Sequence, residues 1–92
     1  MYLRITHAQF DLARYDEAEP IVQAANTAVR QLPGYQNLYQ GIDRTTGAGV
    51  VVSVWDTEQH ARFSRDSLGD TIPRLQELGV QLEPPRIYEV AP

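Results

Sequence analysis

Only a few side chains of this sequence could take part in chemistry. The chain has two histidines and no cysteine, so thiolate catalysis and cysteine-based zinc sites are excluded. His7 lies in an alternating N-terminal segment and could act as a general base or proton shuttle. It could also be a satisfied, partly buried histidine, or a histidine at a dimer seam. His60 is expected to be solvent-exposed, in the first turn of a helix. Two separated histidines without carboxylates at ligand spacing do not indicate a metal site, and none is predicted.

A row of aromatic and amide side chains follows on a predicted strand. Tyr35, Asn37 and Tyr39 share one face of a regular strand, because successive side chains alternate between faces. Such a row could stack on a flat phenolic molecule and hydrogen-bond to it. It could equally form cross-strand pairs at an interface between two sheets.

Two further candidates lie near the C-terminus. Arg86 and Tyr88 are two residues apart on the last predicted strand, so they share a face. Arg86 could hold an enolate or carboxylate, or pair with a neighbouring glutamate. Tyr88, together with His7, is a candidate for proton handling.

Composition narrows the possible partners. The 92 residues form a single predicted domain, 1–92, with 42% hydrophobic and 22% charged residues. Eight basic residues face twelve acidic ones, giving a net charge of −4. Nucleic acid is therefore an unlikely partner, since it is bound by surplus Lys and Arg. No segment has signal-peptide character or the roughly 20 apolar residues that span a bilayer. A soluble cytoplasmic protein with no membrane association is expected.

The periodicity of the apolar residues predicts the element order βαββαβ. Asp16 with Glu19 resembles a capping box for the first helix, whose apolar stripe leaves Asn26 on its polar side. The strands are predicted over residues 2–10, 35–43, 50–55 and 81–90. The first helix is predicted to begin between residues 16 and 20 and to end at 33–34. A second helical region begins at residue 56 or 57, breaks at 69–70, and stops at 79.

This order predicts a ferredoxin-like α+β fold with a four-stranded antiparallel sheet and both helices on one face. The third strand, Val50–Trp55, is apolar on both faces, so the uncovered face would be an aggregation hazard in a monomer. A homodimer packed sheet to sheet is therefore predicted.

Pro84 and Pro85 cannot donate to a ladder. We expect them to release the last strand from its own sheet toward a partner subunit.

Several landmarks together resemble the antibiotic biosynthesis monooxygenase family of the dimeric α+β barrel superfamily. They are Leu32-Pro33-Gly34-Tyr35, Asp43-Arg44 with Gly47, Val54-Trp55-Asp56-Thr57-Glu58, and the closing segment Glu83–Val90. The resemblance implies a homodimer with a small-molecule cavity between the sheet and the helices of each subunit. Characterised members include cofactor-independent oxygenases of polycyclic phenols and haem-degrading oxygenases. The residues that the haem degraders use are not matched here, which disfavours haem.

Trp55 is the main site candidate under this resemblance. It shares a strand face with Val51 and Ser53, the face that the resemblance places along the cavity. Trp55 could therefore contact a ligand, or it could be a core aromatic that seals the sheet against the second helix. Some catalytic members carry a polar side chain four residues before this Trp, where this chain has Val51.

The resulting hypothesis is a monooxygenase-like protein that binds a small aromatic molecule and oxidises it without a tightly held cofactor. Substrate contacts are predicted from Trp55, Tyr35, Asn37, Tyr39 and Arg86. The alternative is a non-catalytic homodimer that binds a small molecule or is purely structural.

Overall fold

The computed structural model describes all residues, 1–92, and contains five strands and three α-helices. The strands are β1 (Tyr2–Gln9), β2 (Tyr35–Ile42), β3 (Ala48–Trp55), β4 (Gln81–Leu82) and β5 (Arg86–Glu89). The helices are α1 (Tyr15–Arg30), α2 (Glu58–Ala61) and α3 (Thr71–Glu77). Short 3₁₀ turns cover Leu12–Arg14 and Arg65–Leu68. None of these helices has the length and apolar character needed to cross a bilayer.

The strands form one antiparallel sheet in the order β2-β3-β1-β4, and β5 also pairs with β1. The ladder between β1 and β3 runs from the pair Tyr2 and Trp55 to the pair Gln9 and Ala48. This confirms the predicted ferredoxin-like α+β fold. The fourth strand position is shared by β4 and β5, which follow each other along the same edge of β1.

The prediction that Pro84 and Pro85 release the last strand from its own sheet is wrong. β4 pairs with Ala8 and Gln9, and β5 pairs with the first half of β1, from Tyr2 to Ile5. The prolines interrupt the edge ladder, because they lack N–H donors, but the chain resumes pairing with the same strand beyond them.

The start of α1 also differs from the expectation. The helix begins at Tyr15, and its N-terminus has no side-chain cap. Asp11 caps the preceding 3₁₀ turn instead, by accepting a hydrogen bond from the backbone N–H of Ala13. The predicted Asp16–Glu19 capping box is therefore not formed.

A register shift in β2 changes the face to which Tyr35 belongs. Tyr35 pairs with Trp55, whereas Asn37 pairs with Val54, so one residue of β2 is unmatched between the two pairs. A bulge of this kind reverses the alternation of side chains. Tyr35 therefore points to the helical side and contacts Trp55, with ring centroids 6.1 Å apart. The predicted row Tyr35, Asn37 and Tyr39 is thus broken.

The helices cover one face of the sheet. Two clusters of buried residues lie beneath them, one around Phe10, Tyr15 and Val22 and one around Trp55 and Ala61. The opposite face, called the outer face below, carries half-buried aliphatic side chains that no helix covers in a single chain. They are Leu3, Ile5, Val50, Val52 and Val54.

Gly34 makes the turn between α1 and β2 possible. Its backbone φ is +81°, and a Cβ there would lie 2.2 Å from Asp56 Oδ1 and 2.3 Å from His60 Nδ1. Asp56 and His60 form a 2.6 Å hydrogen bond that lies against this turn, and this bond lowers the pKa of Asp56. The Pro-Gly turn and the start of α2 therefore pack in direct contact.

Gly34→Ala should lower the free energy of unfolding by about 2 kcal/mol or more, since the side chain meets both backbone strain and a clash. Gly79→Ala is the matched control: its φ is also +81°, but the atom nearest to the added Cβ is Asp11 Cβ at 3.7 Å, an ordinary van der Waals contact. We expect a loss of only about 1–2 kcal/mol there. Urea unfolding of both variants tests this, and equal losses would show that the contact with Asp56 and His60 is unimportant.

Candidate functional site

A largely apolar cavity of about 90 Å³ lies between the sheet and the helices. Ala25 and Val29 of α1 form one side, Val51 of β3 forms the floor, and Phe63 and Leu68 close one end. The volume is several times the roughly 10–15 Å³ that holds one water. It is smaller than the roughly 300 Å³ or more of pockets for drug-sized ligands. The space therefore suits a small ligand, with one aromatic ring rather than several.

Six polar side chains interrupt this apolar lining. They are Arg4, Thr6, Asn26, Gln40, Ser53 and Arg65. The lining contains no carboxylate, histidine, lysine or tyrosine. The cavity can therefore orient a ligand through hydrogen bonds and positive charge, but its own side chains include no ordinary general base.

Arg4 is the most unusual of these side chains, because its guanidinium is buried. Only 5% of the residue is exposed. Nη1 donates to the backbone carbonyl oxygens of Ala61 (3.0 Å) and Phe63 (2.8 Å), just after α2. The guanidinium also lies 3.8 Å from the centroid of the Phe63 ring. Arg4 thereby joins β1 to the segment that follows α2.

Burial and the charge of Arg65 lower the pKa of Arg4 to about 10, burial being the larger cause. Arg4 is therefore still protonated at neutral pH. Arg65 is half-buried on the same lining, and its Nη2 donates to the carbonyl oxygen of Glu83, beside the Pro84-Pro85 interruption. No carboxylate forms a salt bridge with either arginine.

An amide pair lies between the cavity and an open polar depression. Asn26 Nδ2 donates to Gln40 Oε1 at 2.7 Å, joining α1 to β2. Both residues line the cavity and also the depression, whose volume is about 350 Å³ and whose rim includes Arg30 and Arg44. The Asn26–Gln40 pair thus separates the cavity from solvent. Asn26 is 5% exposed, so its expected place on the polar side of α1 is wrong.

Trp55 lies in the core, behind the cavity lining rather than in it. Its exposed fraction is 0%, and it is absent from the cavity surface. Its Nε1 donates to Ser53 Oγ at 2.8 Å, and its ring packs 5.1 Å from that of Phe63. Trp55 therefore supports two residues of the lining, Ser53 and Phe63. Direct contact between Trp55 and a ligand stays a prediction. Direct contact between a ligand and Tyr35, which packs beside Trp55, also stays a prediction.

The other sequence candidates lie on the outer face of the sheet. In β1, His7 alternates onto the same face as Leu3 and Ile5. In β5, Tyr88 lies opposite Leu3 and Arg86 lies opposite Ile5. In β2, Asn37 lies opposite Val54 and Tyr39 lies opposite Val52. All five are exposed, and none lines the cavity. Asn37 Nδ2 donates to Tyr39 Oη at 2.8 Å. Because alternation places them on the face opposite the helices, they cannot act in this subunit's cavity without a rearrangement. Their roles elsewhere stay predictions.

Sequence reasoning missed Arg4, Asn26, Gln40 and Arg65. One signal was available for Arg4: the ladder that pairs β1 with β3 puts Arg4 on the face of Ser53 and Trp55. An arginine on that face must be buried if helices cover it. No comparable local signal marks Arg65, whose position depends on a turn and on the distant Glu83.

No cluster of three or more histidine, cysteine or acidic side chains in the structure could hold a metal ion. No family model matches the sequence, and no curated protein matches it either.

Solved structures do resemble the chain. A Deinococcus radiodurans protein assigned to the antibiotic biosynthesis monooxygenases superposes with a TM-score of 0.80 at 18% identity, covering 100% of this chain and 94% of its own. SnoaB, a cofactor-independent oxygenase from Streptomyces nogalater, gives 0.70 at 14% identity, covering 99% and 93%. Rv0793 from Mycobacterium tuberculosis gives 0.70 at 13%, covering 100% and 95%. The chain therefore has the fold of the antibiotic biosynthesis monooxygenase structures.

Trp55 and Ser53 should be energetically coupled. Trp55→Phe removes the indole N–H and leaves unfilled volume, so we expect a loss of about 1–3 kcal/mol in the free energy of unfolding. Ser53→Ala should cost about 1–2 kcal/mol by leaving the indole N–H unpaired. Both single variants remove the same hydrogen bond. The free energy of unfolding of the double variant should therefore fall by about 1 kcal/mol less than the sum of the two single losses. Denaturant unfolding measures this, with Tyr39→Phe as an exposed control. Strict additivity would contradict the coupling.

Proposed function

We propose that the protein is a monooxygenase-like small-molecule-binding protein whose ligand occupies the cavity between the sheet and α1. The observation that carries this proposal is a mostly apolar cavity with a few converging polar side chains, the usual composition of a small-molecule site. The oxygenase reaction is suggested by the fold shared with SnoaB, a cofactor-independent oxygenase. The substrate class is a small phenol or a related aromatic compound.

The reaction would use the electron-rich anion of the substrate to reduce O₂ directly. For a benzylic-type CH₂ flanked by activating groups, one O₂ converts CH₂ to C=O, and the second oxygen leaves as water. A hydroquinone would give a quinone, with O₂ reduced to hydrogen peroxide. The apolar lining would exclude water, while Asn26, Gln40 and Ser53 would orient the ring by hydrogen bonds.

The second candidate function is binding without catalysis. The observation that favours it is the lining itself, which contains no ordinary general base to remove a substrate proton. Val51, where the resemblance places a polar side chain in some catalytic members, adds only an apolar surface. A protein of this kind would sequester or carry its ligand and release it unchanged.

Oxygen uptake distinguishes the two functions. Single-ring phenols and hydroquinones are supplied without flavin or metal, and O₂ consumption is followed above the spontaneous rate. Val51→Phe should fill the cavity and abolish both uptake and binding, whereas Val51→Thr keeps the volume and should retain them. Binding without uptake would establish the non-catalytic function. Uptake unaffected by Val51→Phe would show that the cavity is not the site.

We also propose that two copies associate through the outer face. The proposal is supported by the uncovered aliphatic side chains of β1 and β3, which a second sheet would bury. Each subunit would then have its own ligand cavity, on the side of its sheet that faces away from the interface.

Light scattering at micromolar concentration should give the mass of a dimer. Val52→Lys should dissociate or unfold the protein, because an unpaired charge buried at the interface costs several kcal/mol. Gln59→Lys, on the exposed side of α2, adds the same charge away from the outer face and should leave the dimer intact. A monomeric wild-type protein would contradict the proposal.

A further inference from the structure

We infer that the cavity binds its ligand as an anion, with the ligand's charged oxygen held by Arg4 and Arg65 and its ring against the apolar lining. The inference rests on the proposed binding function and specifies the chemical class: an aromatic carboxylate, phenolate or enolate.

The charge balance within the chain favours an anionic ligand. Acidic residues outnumber basic ones by twelve to eight, yet Arg4 and Arg65 contact no carboxylate. The ion pairs that do form lie elsewhere and are exposed: Arg14 with Glu17, Arg62 with Glu58, and His60 with Asp56. Two neighbouring cations, one of them 5% exposed, therefore line an apolar space without a counter-ion. A buried charge without a partner is costly, and a bound anion would offset this cost.

Arg4 has hydrogen-bond donors that are not used within the chain. Only Nη1 hydrogen-bonds within the chain, to the carbonyls of Ala61 and Phe63. No fully buried side-chain nitrogen or oxygen lacks a partner, so Nε and Nη2, which make no such bond, each keep some accessible surface. Guanidinium donors arranged in a plane match the two oxygens of a carboxylate, or one phenolate oxygen.

The cavity lining contains no side chain that ordinarily acts as a base. Because the lining has no ordinary proton acceptor, a ligand that binds as an anion must either enter already ionised or lose its proton to water. Arg4 and Arg65 both favour the ionised form, since a nearby positive charge lowers the pKa of an acid. Ligand affinity should therefore follow the ionisation of the ligand rather than that of a protein side chain.

Calorimetric titration with matched pairs of probes tests the inference. The pairs are benzoate with benzamide and phenylacetate with phenylacetamide, which differ in charge but little in shape. We expect the wild-type protein to prefer at least one anion over its amide by about tenfold or more, as charge-assisted hydrogen bonds do. Arg4→Gln, whose amide can still donate to a carbonyl, should reduce this preference to about one. Arg65→Gln should reduce it partially.

Arg74→Gln is the matched control, because this substitution removes the same charge from a side chain that is exposed on α3. It should leave the preference unchanged. If Arg4→Gln fails to fold, the comparison of Arg65→Gln with Arg74→Gln tests the inference. Equal binding of anion and amide would overturn the anion inference while leaving the binding proposal standing. If Arg74→Gln lost the preference for anions to the same extent as Arg4→Gln, the preference would come from the net charge of the protein, and the inference would be overturned. No binding of any probe would overturn both proposals.

Discussion

The ladder between β1 and β3 is the constraint on which most of this structure depends. Eight residues of each strand pair without a shift, from Tyr2 opposite Trp55 to Gln9 opposite Ala48. Because side chains alternate strictly along such a ladder, it sorts the two central strands into a helical side and an outer side. Arg4, Ser53 and Trp55 are thereby brought together beneath the helices, and the aliphatic row of the outer face is left uncovered.

This sorting gives the two sides of the sheet different properties. On the helical side, a buried guanidinium binds two backbone carbonyls and an aromatic ring, so the end of α2 and the cavity are stabilised by the same residue. On the outer side, an aliphatic row of β1 and β3 is flanked by exposed polar and aromatic side chains, and the Asn37–Tyr39 hydrogen bond there lies within one strand. The cavity lining and the outer face are therefore built from largely separate sets of residues of the same strands, and of the outer aliphatic row only Val50 also belongs to the cavity lining.

The sequence was sufficient to predict the element order, the fold and the face of Trp55, because these follow from periodicity and from the Pro-Gly and Gly79 stops. It was insufficient for Tyr35, since a bulge leaves little trace in local sequence and reverses one position only. Asn26 was missed because a polar residue beside an apolar stripe ordinarily faces water, and its partner Gln40 lies on another element. Arg4 and Arg65 depend on contacts with residues far along the chain, which no local pattern encodes.

The Asn26–Gln40 pair has a kinetic consequence. A single neutral hydrogen bond contributes only about 1 kcal/mol, so separating the two amides is a small barrier compared with unfolding the helix or the strand that carries them. Rotation of exposed side chains takes picoseconds to nanoseconds, and Gln40 is only half-buried. Entry through this route would therefore be limited by diffusion and by the fit of the ligand, and residence time would be set by the contacts inside rather than by the amides at the mouth.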